Sequence, residues 1–294
     1  MEGRVLRNKY NETVFRGIDR AIAVAGKYGM KAIISFVDFW KPDDGIQVWS
    51  YMCDDGSNTD KFYTSDKCKT MFRQHISNVL NRRNTYNNRL YKDDPTIMAW
   101  DTANEPRCQN QNSGSCHPDI TQWVIEMAAY IKSVDPNHLV TTGGEGFFLA
   151  GTPEASSNPG AWGGQTGQDF VAQTSSTAVD FASIHLWPQN WLREDLGFVQ
   201  QWVTAHMTVA AELNIPLVME EFGYKLYPSA DYKGAVAAKR DPYFQACYNA
   251  VQQSVQQGQV LKGAMFWEWD IMGPAEKLDV SSRAYTTTEY DSTW

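Results

Sequence analysis

Apolar positions along this 294-residue chain follow two rhythms: stretches with hydrophobic residues three or four apart, and short continuous apolar runs. The first helix is predicted from a cap at Asn11 to about Tyr28, with Val14, Ile18, Ile22 and Val24 on one face and Gly29 as its stop. Further helices are expected over about 65–84, 121–134, 196–213 and 242–256. Between them lie apolar runs of strand length that begin near residues 32, 97, 139, 181, 217 and 263; the first covers 32–37. The stretch after Trp40, through Trp49, Cys53 and Cys68, reads as a long loop, and roughly 151–168 as a Gly, Ser and Pro-rich excursion.

Strand followed by helix, again and again and without an internal repeat, predicts a parallel sheet with right-handed crossovers. Six strands would complete an open doubly wound sheet, but they fall two short of a closed (β/α)8 barrel. Residues suited to chemistry follow all six strands, which is the habit of barrels and favours a single (β/α)8 TIM-barrel catalytic domain over residues 1–294. Because the pattern opens on a helix, the expectation is that the first two strand–helix units are missing from this chain.

Two strand ends stand out. Ile97-Met98-Ala99-Trp100 leads to Asn104-Glu105-Pro106, where proline ends the strand, and Ile215-Pro216-Leu217-Val218-Met219 leads to Glu220-Glu221-Phe222-Gly223. One Glu after a strand is usually a solvated loop residue. Two strand-end acids on one sheet suggest a pair, mounted on a stiff rim. Alternation along the second strand cannot choose between Glu220 and Glu221, because apolar residues flank them on both faces.

Composition removes other classes. A net charge of −8 argues against nucleic acid, which is bound by Lys and Arg neutralising phosphates. No apolar run is long enough to span a bilayer and no charged-then-apolar leader follows Met1, so the chain reads as soluble. Gly-x-Gly-x-x-Gly, Gly-Lys-Ser/Thr and Gly-x-Ser-x-Gly elements are missing, which leaves nucleotide and serine-nucleophile chemistry without support. Cys53 with Cys68 and Cys108 with Cys116 form two local pairs, read as loop staples in an oxidising compartment, and Cys247 reads as a buried thiol. Scattered histidines and the lack of Cys-x-x-Cys set metal aside. Eleven Trp fill a core in the ordinary reading, but several follow strands, where a flat ring could carry a sugar.

An ordered series of motifs resembles the endo-β-1,4-mannanases of glycoside hydrolase family 5. It comprises Tyr91-Lys92-Asp93-Asp94-Pro95-Thr96-Ile97, Trp100 with Asn104-Glu105-Pro106-Arg107-Cys108, Asp135-Pro136-Asn137-His138-Leu139-Val140, Gly144-Glu145-Gly146-Phe147, His185-Leu186-Trp187-Pro188 with Trp191, Glu220-Glu221-Phe222-Gly223 and Phe266-Trp267. The resemblance runs from about residue 10 to 270 and implies a secreted, monomeric, retaining enzyme that cleaves internal bonds of mannan, glucomannan or galactomannan. It implies a polysaccharide partner and no cofactor.

Residue by residue, the resemblance makes Glu105 the general acid/base, protonated at working pH, and Glu221 the ionised nucleophile immediately before Phe-Gly. Glu220 is then expected in a structural pair on the other face. Asn104 looks like the contact to the hydroxyl beside the anomeric carbon, and His185 like the active-site histidine. Trp267 looks like the platform under the sugar, Trp40 and Trp191 like stacking walls, and Arg107 and Glu145 like leaving-group contacts. Their ordinary alternatives are a strand cap, a satisfied histidine, core packing and a weak rim ion pair. Two departures stand out. Trp187 occupies the position where the family usually has Tyr, and an indole donates a hydrogen bond but accepts none. The upstream strands would supply an arginine beside the nucleophile, and without that cationic neighbour the Glu221 pKa should rise. Rival readings are a family 5 β-1,4-glucanase, differing in how the 2-hydroxyl is read, and a carbohydrate-binding protein without turnover.

Overall fold

The computed structural model describes residues 10–40, 45–54, 56, 58–109, 116–225, 234 and 236–267. Both ends of the expected 1–294 domain, residues 1–9 and 268–294, lie outside the described residues.

All six expected strands form: β1 (Ala32–Ser35), β2 (Ile97–Asp101), β3 (Leu139–Thr141), β4 (Ala182–Leu186), β5 (Leu217–Phe222) and β6 (Leu261–Phe266). They pair in parallel and in chain order as two three-stranded sheets, β1–β2–β3 and β4–β5–β6. A seam joins the sheets. There Asp180 bridges to Val140 in both directions, its N–H to the carbonyl at 2.8 Å and its carboxylate to the N–H at 2.7 Å. Hydroxyls complete the seam, Thr141 to the Phe181 carbonyl at 3.0 Å and Thr142 to Ser183 at 3.1 Å.

The principal helices are α1 (Glu12–Lys27), α2 (Ile46–Cys53), α3 (Lys61–Thr64), α4 (Asp66–Leu80), α5 (His117–Val134), α6 (Phe170–Thr174), α7 (Leu196–Glu212) and α8 (Asp241–Gln256). Asn11 caps α1 as its side chain predicts, accepting from the N–H groups of Thr13 and Val14. Two differences from the expectation bear on the site. β1 stops at Ser35, and the Phe36 N–H goes instead to the Asp101 carbonyl. The supposed long loop holds α2 and α3, which bury Ile46, Trp49, Phe62 and Tyr63 under α4. Both helices are too short to show a helical period.

Each sheet carries its own core: Trp100, Phe72 and Trp123 are fully buried in the first, and Trp202, Phe198 and Phe222 in the second. Cys53–Cys68 and Cys108–Cys116 are disulfides, and Cys247 is a buried free thiol, as the spacing suggested.

Asp19 ties α1 to the segment after α4. Its fully buried carboxylate takes two hydrogen bonds from Arg82 at 2.9 Å each, one from the Tyr91 hydroxyl at 2.6 Å and one from the Thr85 hydroxyl at 2.9 Å. Burial alone would raise its pKa; these partners hold it below the ordinary value. Replacing Asp19 by Ala leaves the Tyr91 and Thr85 hydroxyls without this acceptor and Arg82 with Glu12 alone, and is expected to cost about 3 kcal/mol, read as a lower midpoint in urea unfolding. In the wild type this contribution is present above the ordinary carboxylate pKa and is lost as pH falls through the lowered one.

Candidate active site

A cleft of about 210 Å³ opens at the carboxyl ends of the strands, and every strand contributes to it. Trp40 follows β1, Asn104, Glu105 and Arg107 follow β2, and Glu145 follows β3. Trp187 follows β4, Glu221 lies at the end of β5, and Trp267 follows β6. Trp191 also lines it, so nine of the ten candidate residues meet there. The tenth, His185, lies behind the wall with 1% exposure. Asp38, Trp162 and Asn190 line the cleft as well and were not singled out in the sequence. Asp38 could have been, since it follows the first strand; Trp162 arrives from the Gly-rich excursion, where no pattern marks it.

Glu105 is held in an unusual backbone state, with φ +48° and its N–H bonded to the Gly143 carbonyl at 2.8 Å. A side chain rarely adopts this left-handed conformation without a surrounding structure that enforces it. Here the enforcement includes Gly143 (φ +72°), where a Cβ would lie 2.0 Å from Asp101 Oδ1 and 2.2 Å from the Ala103 carbonyl. The result aims the Glu105 carboxyl at His185, whose Nδ1–H donates to Oε1 at 2.6 Å, and at Trp40, whose indole N–H donates to Oε2 at 2.5 Å.

Glu221 faces it from the other sheet. Trp187 donates its indole N–H to Glu221 Oε1 at 2.8 Å, so the residue that departs from the family pattern still supplies a donor. Gly223 makes room for that ring, since a Cβ there would lie 2.3 Å from Trp187 Cη2. His185 Nδ1 lies 4.0 Å from Glu221 Oε1, and donor atoms of Glu105, His185 and Glu221 all fall within 4.8 Å of one another. These three could offer a cation a ligand set, but the His185 N–H already points at Glu105, so a proton links them.

The charges follow from this geometry. Burial opposes a charge on His185, but Glu221, Glu105 and Glu220 push its pKa up to about 10, and it is an imidazolium at neutral pH. Burial would raise Glu105, yet the hydrogen bond and charge of His185, with Arg107 and Trp40, hold it below the ordinary value. Glu221 is pushed up to about 8, first by burial and then by the charges of Glu105 and Asp38, against the opposing pull of His185 and Trp187. The rise at Glu221 was expected. The supposed lack of a cation was not correct, because His185 fills that place. His185 sits closer to Glu105 than to Glu221, so its charge favours ionisation of Glu105 over Glu221, the opposite of the order the reaction roles would assign.

Arg107 and Glu145 form a buried bidentate pair, 8% and 1% exposed, and not a rim contact. Gln168 adds a bond to Glu145 at 2.9 Å, and the guanidinium lies over the Trp40, Phe147 and Trp162 rings. Asn104 reaches Asp38 Oδ2 at 3.4 Å. Trp191 is largely core, packed between Phe147 and Trp202.

The family model for glycoside hydrolase family 5 β-mannosidase-like proteins matches residues 4–286. The chain belongs to this family. Among family 5 relatives, it is 37% identical over 276 residues to mannan endo-1,4-beta-mannosidase 1 of Oryza sativa subsp. japonica, and 36% identical over 273 residues to mannan endo-1,4-beta-mannosidase 1 of Arabidopsis thaliana. Those alignments take in 90% and 88% of this chain but 62% and 63% of the relatives' lengths. Among solved structures it resembles the hyperthermostable endo-1,4-beta-D-mannanase of Thermotoga petrophila RKU-1, with TM-score 0.77, 31% identity, and coverage of 94% of this chain and 73% of that one. The endo-1,4-beta-mannanase of Rhizomucor miehei gives TM-score 0.70 at 30% identity, over 89% and 69% of the two chains.

Replacing Trp187 by Phe keeps an aromatic side chain but removes the indole N–H. A bond to the charged form lowers a carboxyl pKa, so its loss should raise Glu221 by roughly one unit above about 8. Carbon-13 titration of the labelled side chain reads this directly.

Proposed function

We propose that this chain carries the catalytic site of a retaining endo-β-1,4-mannanase acting on mannan, glucomannan or galactomannan. The observation that carries the reading is the approach of Glu105 and Glu221 across one cleft, with donor atoms within 4.8 Å. Retaining enzymes keep their two carboxyl groups about 5 to 5.5 Å apart, whereas inverting enzymes leave room for a water between them. The names of the relatives in rice, Arabidopsis and Thermotoga support the choice of mannan.

In this reading Glu221 attacks the anomeric carbon as Glu105 protonates the departing glycosidic oxygen, giving a glycosyl-enzyme ester. Glu105 then takes a proton from water, which attacks the same carbon and releases Glu221. The unequal pull of His185 favours the proton of the carboxyl pair on Glu221, and the reaction needs that proton on Glu105. Both arrangements carry the same number of protons, so the transfer is a shift within a coupled pair. A sugar over Glu221, with positive charge growing at its anomeric carbon, favours the ionised nucleophile. Once the ester forms, Glu221 no longer bears charge. Glu105 is then ionised easily beside His185 and can act as base.

Trp267 serves as the platform at the cleavage point, Asn104 reads the neighbouring hydroxyl, and Arg107 with Glu145 and Trp40 line the leaving-group side. Two carboxyl groups suffice for this chemistry, with no cofactor or metal. The six ordered parallel strands with a cleft at their carboxyl ends support membership in an eight-stranded (β/α)8 barrel. Two disulfides support secretion into an oxidising, extracellular setting, and a monomer is proposed.

Glu105→Gln and Glu221→Gln should each cut reducing-sugar release from soluble β-mannan by at least roughly 1,000-fold, with the first-formed product anomer in the wild type being β by proton NMR. An α product would overturn the retaining mechanism. Faster turnover of β-1,4-glucan than of mannan would overturn the substrate. Binding of mannan without release would make the chain a carbohydrate-binding protein. The wild-type kcat/KM is expected to fall as pH rises through about 8, where the last proton of the carboxyl pair is lost.

A further inference from the structure

β5 presents a carboxyl group that this reaction does not use. Against β4, Ile184 pairs with Met219 and His185 with Glu221, so Glu220 is an extra residue. Against β6, Met219 pairs with Ala264 and Phe222 with Phe266, so Glu220 and Glu221 together oppose Met265. An inserted residue breaks the alternation of faces. Glu220 therefore does not take the opposite face and the structural pair expected for it.

Its surroundings agree. Both Glu220 carboxylate oxygens are buried and neither makes a well-formed hydrogen bond among the described residues; only the Ser183 hydroxyl approaches as a weak donor. Its charge acts on His185 of β4 and on Asp101 of β2, and Asp101 Oδ1 likewise has no partner among the described residues. The nearby Ser183 hydroxyl is engaged with Thr142 Oγ1 and the Gly144 carbonyl. The groups that face Glu220 are thus His185 and Ser183 from β4, Asp101 from β2 and Glu221 from its own strand. β6 places Ala264, Met265 and Phe266 at this level, and its one charged residue, Lys262, is exposed and bonded to the Gln259 carbonyl.

We propose that Glu220 is a positioning residue for the reaction described above, a third carboxyl group beneath the catalytic pair whose negative charge adds to those of Glu221 and Glu105 in stabilising the imidazolium of His185. The inference rests on the retaining-glycosidase reading of Glu105 and Glu221. Two buried acids beside one cation do not both ionise readily. Burial and the charge of Glu220 push the Asp101 pKa well up, while burial raises Glu220 only to about 7 because the charge of His185 and the Ser183 hydroxyl draw it back down. Below that pH Glu220 is neutral and adds nothing. Above it, the added negative charge stabilises the imidazolium and retains the proton of the carboxyl pair to higher pH.

The test compares wild type with Glu220→Gln and Asp101→Asn, each checked for a cooperative melt. In E220Q the His185 imidazole pKa, followed by NMR, should drop from about 10 by at least roughly half a unit. The alkaline limb of kcat/KM on soluble β-mannan should move to lower pH by a similar amount, with the acid limb in place. D101N replaces a group that already holds its proton and should move neither. A His185 pKa unchanged in folded E220Q overturns the proposal, as does a fixed alkaline limb or an equal loss of rate at every pH. Glu220→Ser removes the same charge and replaces E220Q if the amide prevents folding. Wild-type protein without turnover would instead sink the glycosidase reading, and the imidazole titration would still decide the role of Glu220.

Discussion

The buried imidazolium between the two acids organises the cleft. His185, shut away from solvent at the end of β4, donates to Glu105 on one sheet and stands 4.0 Å from Glu221 on the other. Two carboxylates brought this close and this deeply buried would repel each other and resist ionisation. The imidazolium makes the arrangement tolerable, and its unequal distances decide which acid gives up its proton first. Without it, the left-handed backbone at Glu105 would present a carboxyl to a like-charged neighbour.

Around that centre, the local irregularities of the strands act together. Gly143 leaves room for the Asp101 carboxylate and the Ala103 carbonyl beside the Glu105 turn, Gly223 leaves room for the Trp187 ring, and the extra residue in β5 sets Glu221 opposite His185. Each departs from ideal strand geometry at a carboxyl end, where strain can be supported by the packed sheet below. The two acids are therefore fixed by backbone features more than by their own side-chain freedom.

The sequence made the six strands legible because buried parallel strands are short apolar runs, and the first helix because Asn11 and Gly29 mark its ends. Glu105 and Glu221 were legible as acids at strand ends. The two helices between β1 and α4 were not, because eight and four residues are too few to reveal a period. The orientation of Glu220 was hidden for another reason: it depends on register with two neighbouring strands, and nothing in Met-Glu-Glu-Phe signals an insertion. Protonation was likewise hidden, since the family pattern assigns roles in the reacting complex, while the resting charges depend on which carboxyl lies nearer His185. Trp162 comes to the cleft from a segment whose composition promised only a loop.

The seam between β3 and β4 bears on all of this from a distance. Glu105 belongs to one sheet and Glu221 to the other, so the gap between them is spanned by Asp180, by the hydroxyls of Thr141, Thr142 and Ser183, and by the His185 N–H on the Glu145 carbonyl at 3.0 Å. Lys132 on α5 anchors Asp180 through an ion pair at 2.5 Å. Side chains remote from the cleft thus act as its gauge block, and drift in the spacing of Glu105 and Glu221 would begin at residues that do not line it.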